Sequence, residues 1–161
     1  MKLILLGNAG AGKSTMARRI ISDEPIPRLS LDEIAWDDGP KRKPLEVSLR
    51  VLHAFIQEHS EWVIEGCYGD LLEQVLPYAS EVRFLNPGVE ACIANCRARP
   101  WEPEKYPSKE AQDEKLDFLL DWVREYETRE DEYGLRRHRQ VFEQFAGRKR
   151  EYTSGECYPD G

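Results

Sequence analysis

The stretch that decides the fold of this chain is Gly7-Asn8-Ala9-Gly10-Ala11-Gly12-Lys13-Ser14. It fits the pattern G-x-x-x-x-G-K-[ST], which needs a strand before it and a helix after it. The short apolar run Leu3–Leu6 that precedes it is typical of a buried parallel strand. Apolar residues then recur at helical spacing from Met16 to Ile21. The sequence therefore predicts a strand, a tight loop and a helix in direct succession.

Each position of this loop has a chemical reason. Gly7 and Gly12 allow the backbone to turn tightly, so that successive N–H groups and the helix N-terminus form a nest for a phosphate. Lys13 supplies a mobile positive charge for the β- and γ-phosphates, and the Ser14 hydroxyl is a hard oxygen ligand that suits Mg²⁺. The chain contains no Asn-Lys-x-Asp sequence to read guanine, which favours ATP. We expect the nucleotide to be bound by Gly7, Asn8, Ala9, Gly10, Ala11, Gly12, Lys13, Ser14 and Thr15.

Strand and helix signals alternate along the rest of the chain. Three further strands are predicted at Arg28–Leu31, Glu61–Glu65 and Glu81–Leu85. Helical faces are predicted at Leu45–Ile56, Leu71–Leu76, Val89–Cys96, Leu116–Val123 and Leu135–Phe145. Together with the loop, this alternation predicts the three-layer α/β fold of P-loop nucleotide hydrolases and kinases. Its sheet is expected to be mainly parallel, with about five strands and helices on both faces.

Length and charge narrow the class of protein. The chain has 161 residues, which fits one domain spanning residues 1–161. Its 30 acidic and 23 basic residues argue against a general nucleic-acid binder, which must neutralise many phosphates. No apolar run approaches the roughly 18 residues of a membrane span, and Leu3–Leu6 is too short for a secretory signal. We expect a cytoplasmic protein with no membrane partner and with reduced thiols at Cys67, Cys92, Cys96 and Cys157.

Carboxylates follow two of the predicted strands, at the sheet edge where parallel α/β proteins place their active sites. Glu65 closes one strand directly before Gly66, where it would support a bound Mg²⁺; the alternative is a strand-end acid that faces solvent. Asp32 and Glu33 follow the strand Arg28–Leu31. Asp32 would accept the proton of an acceptor hydroxyl or orient it; the alternative is an ordinary helix N-cap or loop acid.

Three segments carry a family resemblance: Gly7–Ser14, Leu29–Trp36 and Trp62–Tyr68. On these residues the chain resembles the small P-loop kinases of the adenylate and shikimate kinase type. It is most similar to the adenylate-kinase-like ATP-binding proteins labelled topology modulation proteins. The resemblance covers about the first 100 residues and implies use of ATP and Mg²⁺, with Glu65 in the place of the acid that assists the metal.

The same resemblance implies a short mobile lid over residues 97–110, with arginines that reach the phosphates. Arg97 and Arg99 would take that role. Guanidinium groups that arrive when a loop closes stabilise charge on a transferred phosphoryl group. The alternative is that both residues complement the dipole at a helix C-terminus. A second, weaker set of candidates is Arg129, Arg136 and Arg137.

The chain departs from the family where the acceptor binds. Adenylate kinases carry Asp-Gly-Phe-Pro-Arg where this chain has Glu65-Gly66-Cys67-Tyr68-Gly69, so the arginine for an acceptor nucleotide has no counterpart. The three-glycine motif of shikimate kinases is also missing. In the acceptor region, Lys41, Arg42, Lys43 and Arg50 either bind an anion or form a solvated face. The sequence leaves the acceptor and the oligomeric state open.

Several other residues have two interpretations each. Trp36 and Tyr68 either stack on a substrate ring or cover the sheet edge, and Trp101 either closes over the nucleotide or anchors its loop. Cys92 and Cys96 are expected in the core rather than at a metal. The segment 134–150 is strongly basic and would face either the phosphates or another polyanion.

The leading hypothesis is a Mg²⁺- and ATP-dependent phosphotransferase that acts on a small molecule or nucleotide. Its catalytic residues would be Lys13, Asp32, Arg97 and Arg99, and its metal would lie at Ser14 and Glu65. One alternative is a nucleotide-binding regulatory or nucleic-acid-associated module with little or no phosphotransfer. Another is a simple ATPase.

Overall fold

A five-stranded sheet forms the centre of the protein in the computed structural model, which describes residues 1–39 and 41–153. Its spatial order is β2-β3-β1-β4-β5, and all four pairings between neighbours are parallel. The strands are β1 (Lys2–Gly7), β2 (Arg28–Ser30), β3 (Trp62–Gly66), β4 (Glu81–Asn86) and β5 (Arg148–Thr153). The predicted α/β fold class with a parallel sheet is confirmed.

Helices cover both faces of this sheet and form the outer two of three layers. They are α1 (Lys13–Asp23), α2 (Asp32–Ala35), α3 (Leu45–Glu58), α4 (Gly69–Val75), α5 (Val89–Ala98), α6 (Lys109–Arg124) and α7 (Leu135–Gln144). A short 3-10 turn, Leu76–Tyr78, follows α4. The cores on the two faces are separate: α2, α3, α4 and α7 pack on one, and α1, α5 and α6 on the other. No helix of the described residues is both long and apolar enough to cross a membrane.

The central strand β1 is buried on both faces, which explains its continuous apolar run. Ile4 and Leu6 face the core under α3 and α4, whereas Leu3 and Leu5 face the core under α1 and α5. All four side chains are 0% exposed. Because β1 lies between β3 and β4, the loop that follows it opens at the middle of the carboxyl edge of the sheet.

The edge strand β5 lies outside the four sequence ranges that are predicted to form strands. Its first three residues, Arg148, Lys149 and Arg150, are exposed, and charged residues are common on edge strands that pair on one side only. Arg148 aligns through Glu81 with Leu3, at the opposite end of the sheet from the glycine-rich loop. Arg150, two residues further along, aligns through Arg83 with Leu5, at the level of Glu65. The interpretation that the basic segment 134–150 faces the phosphates therefore fails for Arg148 and stays a prediction for the rest of the segment.

The helix α3 differs from its prediction in the first turn. Leu45 is 38% exposed, and the buried side of the helix is made by Ser48, Leu52 and Ile56. Ser48 is tolerated in the core because its hydroxyl donates a hydrogen bond to the carbonyl oxygen of Ile34, at 2.8 Å. This bond joins α3 to α2, a one-turn helix that the apolar spacing did not predict.

The side chain of His138 ties three separate segments together from inside the core. Its Nε2 lies 2.7 Å from the carbonyl oxygen of Cys67, and its Nδ1 lies 2.7 Å from the hydroxyl of Tyr126. A neutral ring satisfies both contacts: Nε2–H donates to the carbonyl, and Nδ1 accepts from the hydroxyl. Burial lowers the pKa of His138 to about 4, so the ring is neutral at pH 7.

We predict that His138 makes the folded state less stable as the pH falls from about 6.5 towards 4. In that window the unfolded chain binds a proton at this ring and the folded protein does not, so protonation favours unfolding. The expected loss in the free energy of unfolding is on the order of 2–3 kcal/mol. It is measured by urea unfolding at pH 7.5 and pH 5 for the wild type, His138→Gln and, as a control, the partly exposed His53→Gln. A His138→Gln protein that lost as much stability as the wild type would contradict the assignment.

Candidate functional site

The glycine-rich loop runs from the end of β1 to the start of α1. Gly10 has φ 80° and Gly12 has φ 99°, both in the left-handed region that favours glycine. Gly12 also occupies the N-cap position of α1, so the loop passes directly into the helix. The backbone therefore adopts the tight turn that the motif requires, with the N-terminus of α1 opening into it.

The ammonium group of Lys13 lies inside this loop. Its Nζ donates hydrogen bonds to the carbonyl oxygens of Gly7, at 3.0 Å, and Asn8, at 2.6 Å. Lys13 is 9% exposed and has no carboxylate partner among the described residues. Ser14 is half-buried and Thr15 exposed in the first turn of α1. A buried positive charge that has no acidic partner attracts a phosphate group strongly.

Two amide side chains hold the loop in place, one from the predicted loop residue Asn8 and one from Asn95, which was not predicted to belong to the site. Asn95 of α5 donates from Nδ2 to the carbonyl oxygen of Gly10 at 2.8 Å. Asn8, within the loop, donates from Nδ2 to the carbonyl oxygen of Val123 in α6 at 3.3 Å. The loop is thus hydrogen-bonded to both helices that flank the segment 99–108. No local pattern around Asn95 signals this contact.

Two cysteines pack against the same loop. Cys92 and Cys96 of α5 are buried in the core beneath it, so their predicted core packing is confirmed. Burial raises the pKa of Cys92 to about 11, and burial likewise raises the pKa of Cys67, beside Gly66, to about 12. These thiols are therefore protonated at neutral pH. Cys157 lies outside the described residues.

Glu65 is the penultimate residue of β3, near the carboxyl end of that strand, and is almost completely buried, at 3% exposure. Its register partner on the central strand is Leu5, two residues before Gly7. Its carboxylate accepts a hydrogen bond from Nη2 of Arg28 at 3.2 Å, across the β2–β3 pair. A buried carboxylate needs such a partner, and Arg28 was not predicted to belong to the site. The alternative that Glu65 is a solvent-facing acid is wrong.

Asp32 is the exposed first residue of α2, and Leu31 rather than Asp32 occupies the N-cap position, so the N-cap alternative is wrong. The hydroxyl of Tyr68 donates a hydrogen bond to its Oδ1. Trp36 in turn donates from Nε1 to the Tyr68 hydroxyl at 2.7 Å. Burial and the neighbouring Asp32 carboxylate raise the pKa of Tyr68 far above its usual value, so its hydroxyl keeps its proton. The two aromatic residues of the predicted acceptor region are therefore joined to Asp32.

Arg97 and Arg99 lie where α5 ends, at Ala98, and both are exposed. Neither has an ion-pair partner in the part of the chain that the structure describes. The segment 99–108 that follows is anchored to itself and to α6. Trp101 donates from Nε1 to the carbonyl oxygen of Tyr106 at 3.1 Å, and the Gln112 side chain bonds the backbone of Pro100 and Glu102. Trp101 is 43% exposed and bonds only within its own loop, so it does not anchor the loop to the core in this structure. The lid remains a prediction.

The second set of arginines is committed to ion pairs. Arg129 binds Asp131, and Arg137 binds both Glu73 and Glu132 at 2.7 and 2.8 Å. The exposed Arg136 lies 3.6 Å from Glu130. Each of these guanidinium groups has its own carboxylate partner, whereas Arg97 and Arg99 have none among the described residues.

Comparisons with known proteins give a structural likeness only. No protein-family model matches the chain, and the search of curated proteins gave no match. Among solved structures, the chain is similar to the shikimate kinase from Bacteroides thetaiotaomicron, with a TM-score of 0.49 and 18% sequence identity. That match covers 78% of this chain and 78% of the other.

The arrangement brings most of the predicted residues to one edge of the sheet. The loop residues 7–15 form its centre, Glu65 lies near the carboxyl end of the adjacent strand, and Asp32 follows the strand beyond that. Arg97 and Arg99 extend from the helix whose Asn95 holds the loop. Such a site offers a phosphate nest, two kinds of oxygen ligand for a cation, and a free carboxylate beside them.

We predict that Gly10→Ala weakens ATP binding about tenfold or more, because the loop must move to accept a β-carbon. That carbon would lie 2.5 Å from the carbonyl oxygen of Cys92 and 2.7 Å from Sγ of Cys96. The matched control is Gly88→Ala, which has a similar φ of 105° but no atom within 4 Å of the added carbon. It should lose about 1 kcal/mol of stability and keep its ATP affinity. Calorimetric titration with ATP tests this, and equal affinity of Gly10→Ala and wild type would refute it.

Proposed function

We propose that this protein is a Mg²⁺-dependent phosphotransferase that moves the γ-phosphoryl group of ATP to a hydroxyl group of a small molecule. The observation that carries the proposal is the environment of Lys13. Its ammonium group is buried against carbonyl oxygens, without a carboxylate partner among the described residues. The surrounding loop contains two glycines with left-handed backbone and lies at the centre of the carboxyl edge of the sheet. Phosphoryl transfer needs placement and charge stabilisation more than covalent help from the protein. The residues around the loop supply both.

The loop and Lys13 bind the phosphates of ATP in this proposal. Backbone N–H groups of residues 9–14 surround the β-phosphate, and the Lys13 ammonium leaves the carbonyl oxygens of Gly7 and Asn8 for phosphate oxygens. Asn8 and Asn95 keep the loop backbone in place while Lys13 changes partners. A preorganised loop binds its ligand with less loss of conformational freedom.

The donor atoms near Lys13 fit a magnesium ion. The Ser14 hydroxyl and the Glu65 carboxylate are hard oxygen ligands, and Mg²⁺ usually uses one or two such protein ligands together with phosphate oxygens and water. When bound, the ion neutralises charge on the β- and γ-phosphates. Arg28 holds Glu65 by one hydrogen bond to Oε1. The other carboxylate oxygen is left to accept a hydrogen bond from a metal-bound water.

Asp32 would orient the acceptor hydroxyl and accept its proton. Its Oδ1 already accepts the hydrogen bond of Tyr68, so Oδ2 faces the acceptor. Arg97 and Arg99 would stabilise negative charge on the transferred group, because they are exposed and unpaired where the segment 99–108 begins. We include the lid at residues 97–110 in this proposal.

Two segments beyond the glycine-rich loop support a finer family assignment. The segments Leu29–Trp36 and Trp62–Tyr68 support similarity to the adenylate-kinase-like ATP-binding proteins labelled topology modulation proteins. The short segment between β2 and α3, with its single helical turn α2, leaves room for a small acceptor only. We also propose a cytoplasmic location, in keeping with the reduced thiols of Cys67, Cys92 and Cys96.

We predict that Lys13→Ala lowers acceptor-dependent ADP release about 100-fold or more, because the charge at the phosphates is lost. The measurement is a coupled ADP assay with ATP, Mg²⁺ and a panel of hydroxyl compounds. Lys115→Ala, an exposed lysine on α6 outside the proposed lid, is the matched control and should retain full activity. If ATP binds but no acceptor stimulates ADP release, the protein is instead a nucleotide-binding module. Release without any acceptor indicates a simple ATPase.

We predict that Glu65→Gln raises the Mg²⁺ concentration for half-maximal turnover about tenfold or more. The amide cannot support a metal-bound water as the carboxylate does, whereas metal-free ATP binding through Lys13 is retained. Turnover is measured across a magnesium titration, with the exposed Glu58→Gln as control. An unchanged magnesium requirement in a folded Glu65→Gln protein would remove Glu65 from the metal site.

A further inference from the structure

Four aromatic side chains form a continuous layer beside Asp32, which we call the aromatic wall: Trp36, Tyr68, Trp122 and Tyr133. Successive ring centroids are 5.0 Å apart from Trp122 to Tyr133, 5.5 Å from Tyr133 to Tyr68, and 6.3 Å from Tyr68 to Trp36. Tyr68 is buried at the back of the wall, and the other three rings are partly exposed. The wall thus begins at the carboxylate that the proposed function assigns to the acceptor hydroxyl.

Arg42, which lies over the Tyr68 and Tyr133 rings of the aromatic wall, is not available to an anion. Arg42 donates from Nη1 to the Tyr133 hydroxyl at 2.8 Å and from Nη2 to Asp70 at 3.2 Å. Its guanidinium carbon lies 5.1 Å from the ring centroid of Tyr68 and 5.8 Å from that of Tyr133. The buried Nε has no hydrogen-bond acceptor, and the neighbouring ring faces take its place.

Arg129, which stacks on the Trp122 ring of the aromatic wall, is likewise paired with a carboxylate. Arg129 makes three hydrogen bonds to the carboxylate of Asp131, at 2.7 to 3.0 Å. Its guanidinium carbon stacks 3.8 Å from the ring centroid of Trp122. It is therefore neutralised on one side and covered by a ring on the other.

The two lysines beside Arg42 extend away from the wall. Trp36 and Arg42 face each other in an isolated antiparallel bridge, and backbone hydrogen bonds join Asp37 to Lys41 and Lys43 to Ala35 on either side of it. Because side chains alternate along such a segment, Lys41 and Lys43 extend opposite to Arg42. Arg50, the fourth cation of the predicted acceptor region, is exposed on α3 and lies on the side of that helix opposite to its buried residues Ser48, Leu52 and Ile56. The four cations that the sequence suggested for acceptor binding are thus either paired or turned away.

Carboxylates, by contrast, are free on this side of the site. Asp32, Glu33, Asp37 and Asp38 are all exposed, and none has a cationic partner among residues 1–39 and 41–153. The unpaired cations Lys13, Arg97 and Arg99 belong to the phosphate side in the proposed function. The two halves of the site therefore have opposite charge, which is a basis for discrimination between ligands.

We propose that the acceptor is a ring-bearing alcohol that carries no anionic group and is either uncharged or positively charged. This inference rests on the proposed function, because it assigns the acceptor of the same reaction. The ring lies against the exposed part of Trp36, and the hydroxyl reaches Oδ2 of Asp32. Among the described residues of this half of the site, a phosphate or carboxylate on the acceptor would meet four acids without a cationic partner and no unpaired guanidinium.

The test compares ligands that share a ring and differ in charge. One series is tyrosol, tyramine and 4-hydroxyphenylacetate; the other is adenosine and adenosine monophosphate. Binding is followed by tryptophan fluorescence in the presence of Mg²⁺ and a non-transferable ATP analogue, and turnover by ADP release with ATP. We expect the uncharged and cationic ligands to bind about tenfold or more tightly than the anionic member of their series.

Two pairs of variants show which residues determine the binding of the ring and the preference against anionic ligands. Trp36→Ala should weaken binding of the uncharged ligands about tenfold without changing ATP affinity, whereas the remote, exposed Tyr78→Ala should change neither. Asp70→Asn releases Arg42 and should improve binding of the anionic ligands about fivefold or more. Asp121→Asn, which releases Arg124 of an exposed pair on α6, is its matched control.

The outcomes separate this inference from the proposed function. Tighter binding of an anionic ligand by the wild type, or no binding by any member of either series, overturns the inference. Transfer to an anionic acceptor overturns it while upholding the phosphotransferase. Preferential binding of uncharged or cationic ligands without any transfer supports the inferred site and overturns the phosphotransferase.

Discussion

The burial of β1 on both faces is the constraint on which the rest of the structure depends. A strand with neighbours on each side and helices above and below must be apolar throughout, and Leu3–Leu6 meet that demand at 0% exposure. The strand then ends at Gly7, where an added β-carbon would lie 2.5 Å from the carbonyl oxygen of Leu85. The chain leaves the sheet there through a loop without bulky side chains. A phosphate nest consequently opens at the centre of the sheet edge.

The site has two halves that differ in whether their positively charged side chains are paired with carboxylates. On one side Lys13 is buried against carbonyl oxygens, and Arg97 and Arg99 are exposed without partners in the described chain. On the other side Arg28 and Arg42 are bound to carboxylates. Paired charges in partly buried positions resist displacement, because removing one partner leaves the other uncompensated. The unpaired charges are the ones free to meet a ligand.

Hydrogen bonds between distant segments fix the positions of these two halves of the site. Asn95 and Asn8 connect the glycine-rich loop to α5 and α6, and His138 connects α7 to the backbone that follows β3. Each bond satisfies a backbone carbonyl group, which would be costly to bury alone. The loop, the third strand and the segment 99–108 are therefore positioned by one hydrogen-bonded framework rather than by the motif alone.

The sequence by itself determined the strand, loop and helix around Gly7–Ser14, the α/β class and the position of Glu65 and Asp32 after their strands. These features depend on local spacing and on residue chemistry within a short segment. Only the tertiary structure decided the edge strand β5 and the partners Arg28 for Glu65, Tyr68 for Asp32 and Tyr133 for Arg42. Those partners are separated by 37, 36 and 91 residues along the chain. Pairings at such separations arise from the packing of the whole domain, and no local pattern encodes them.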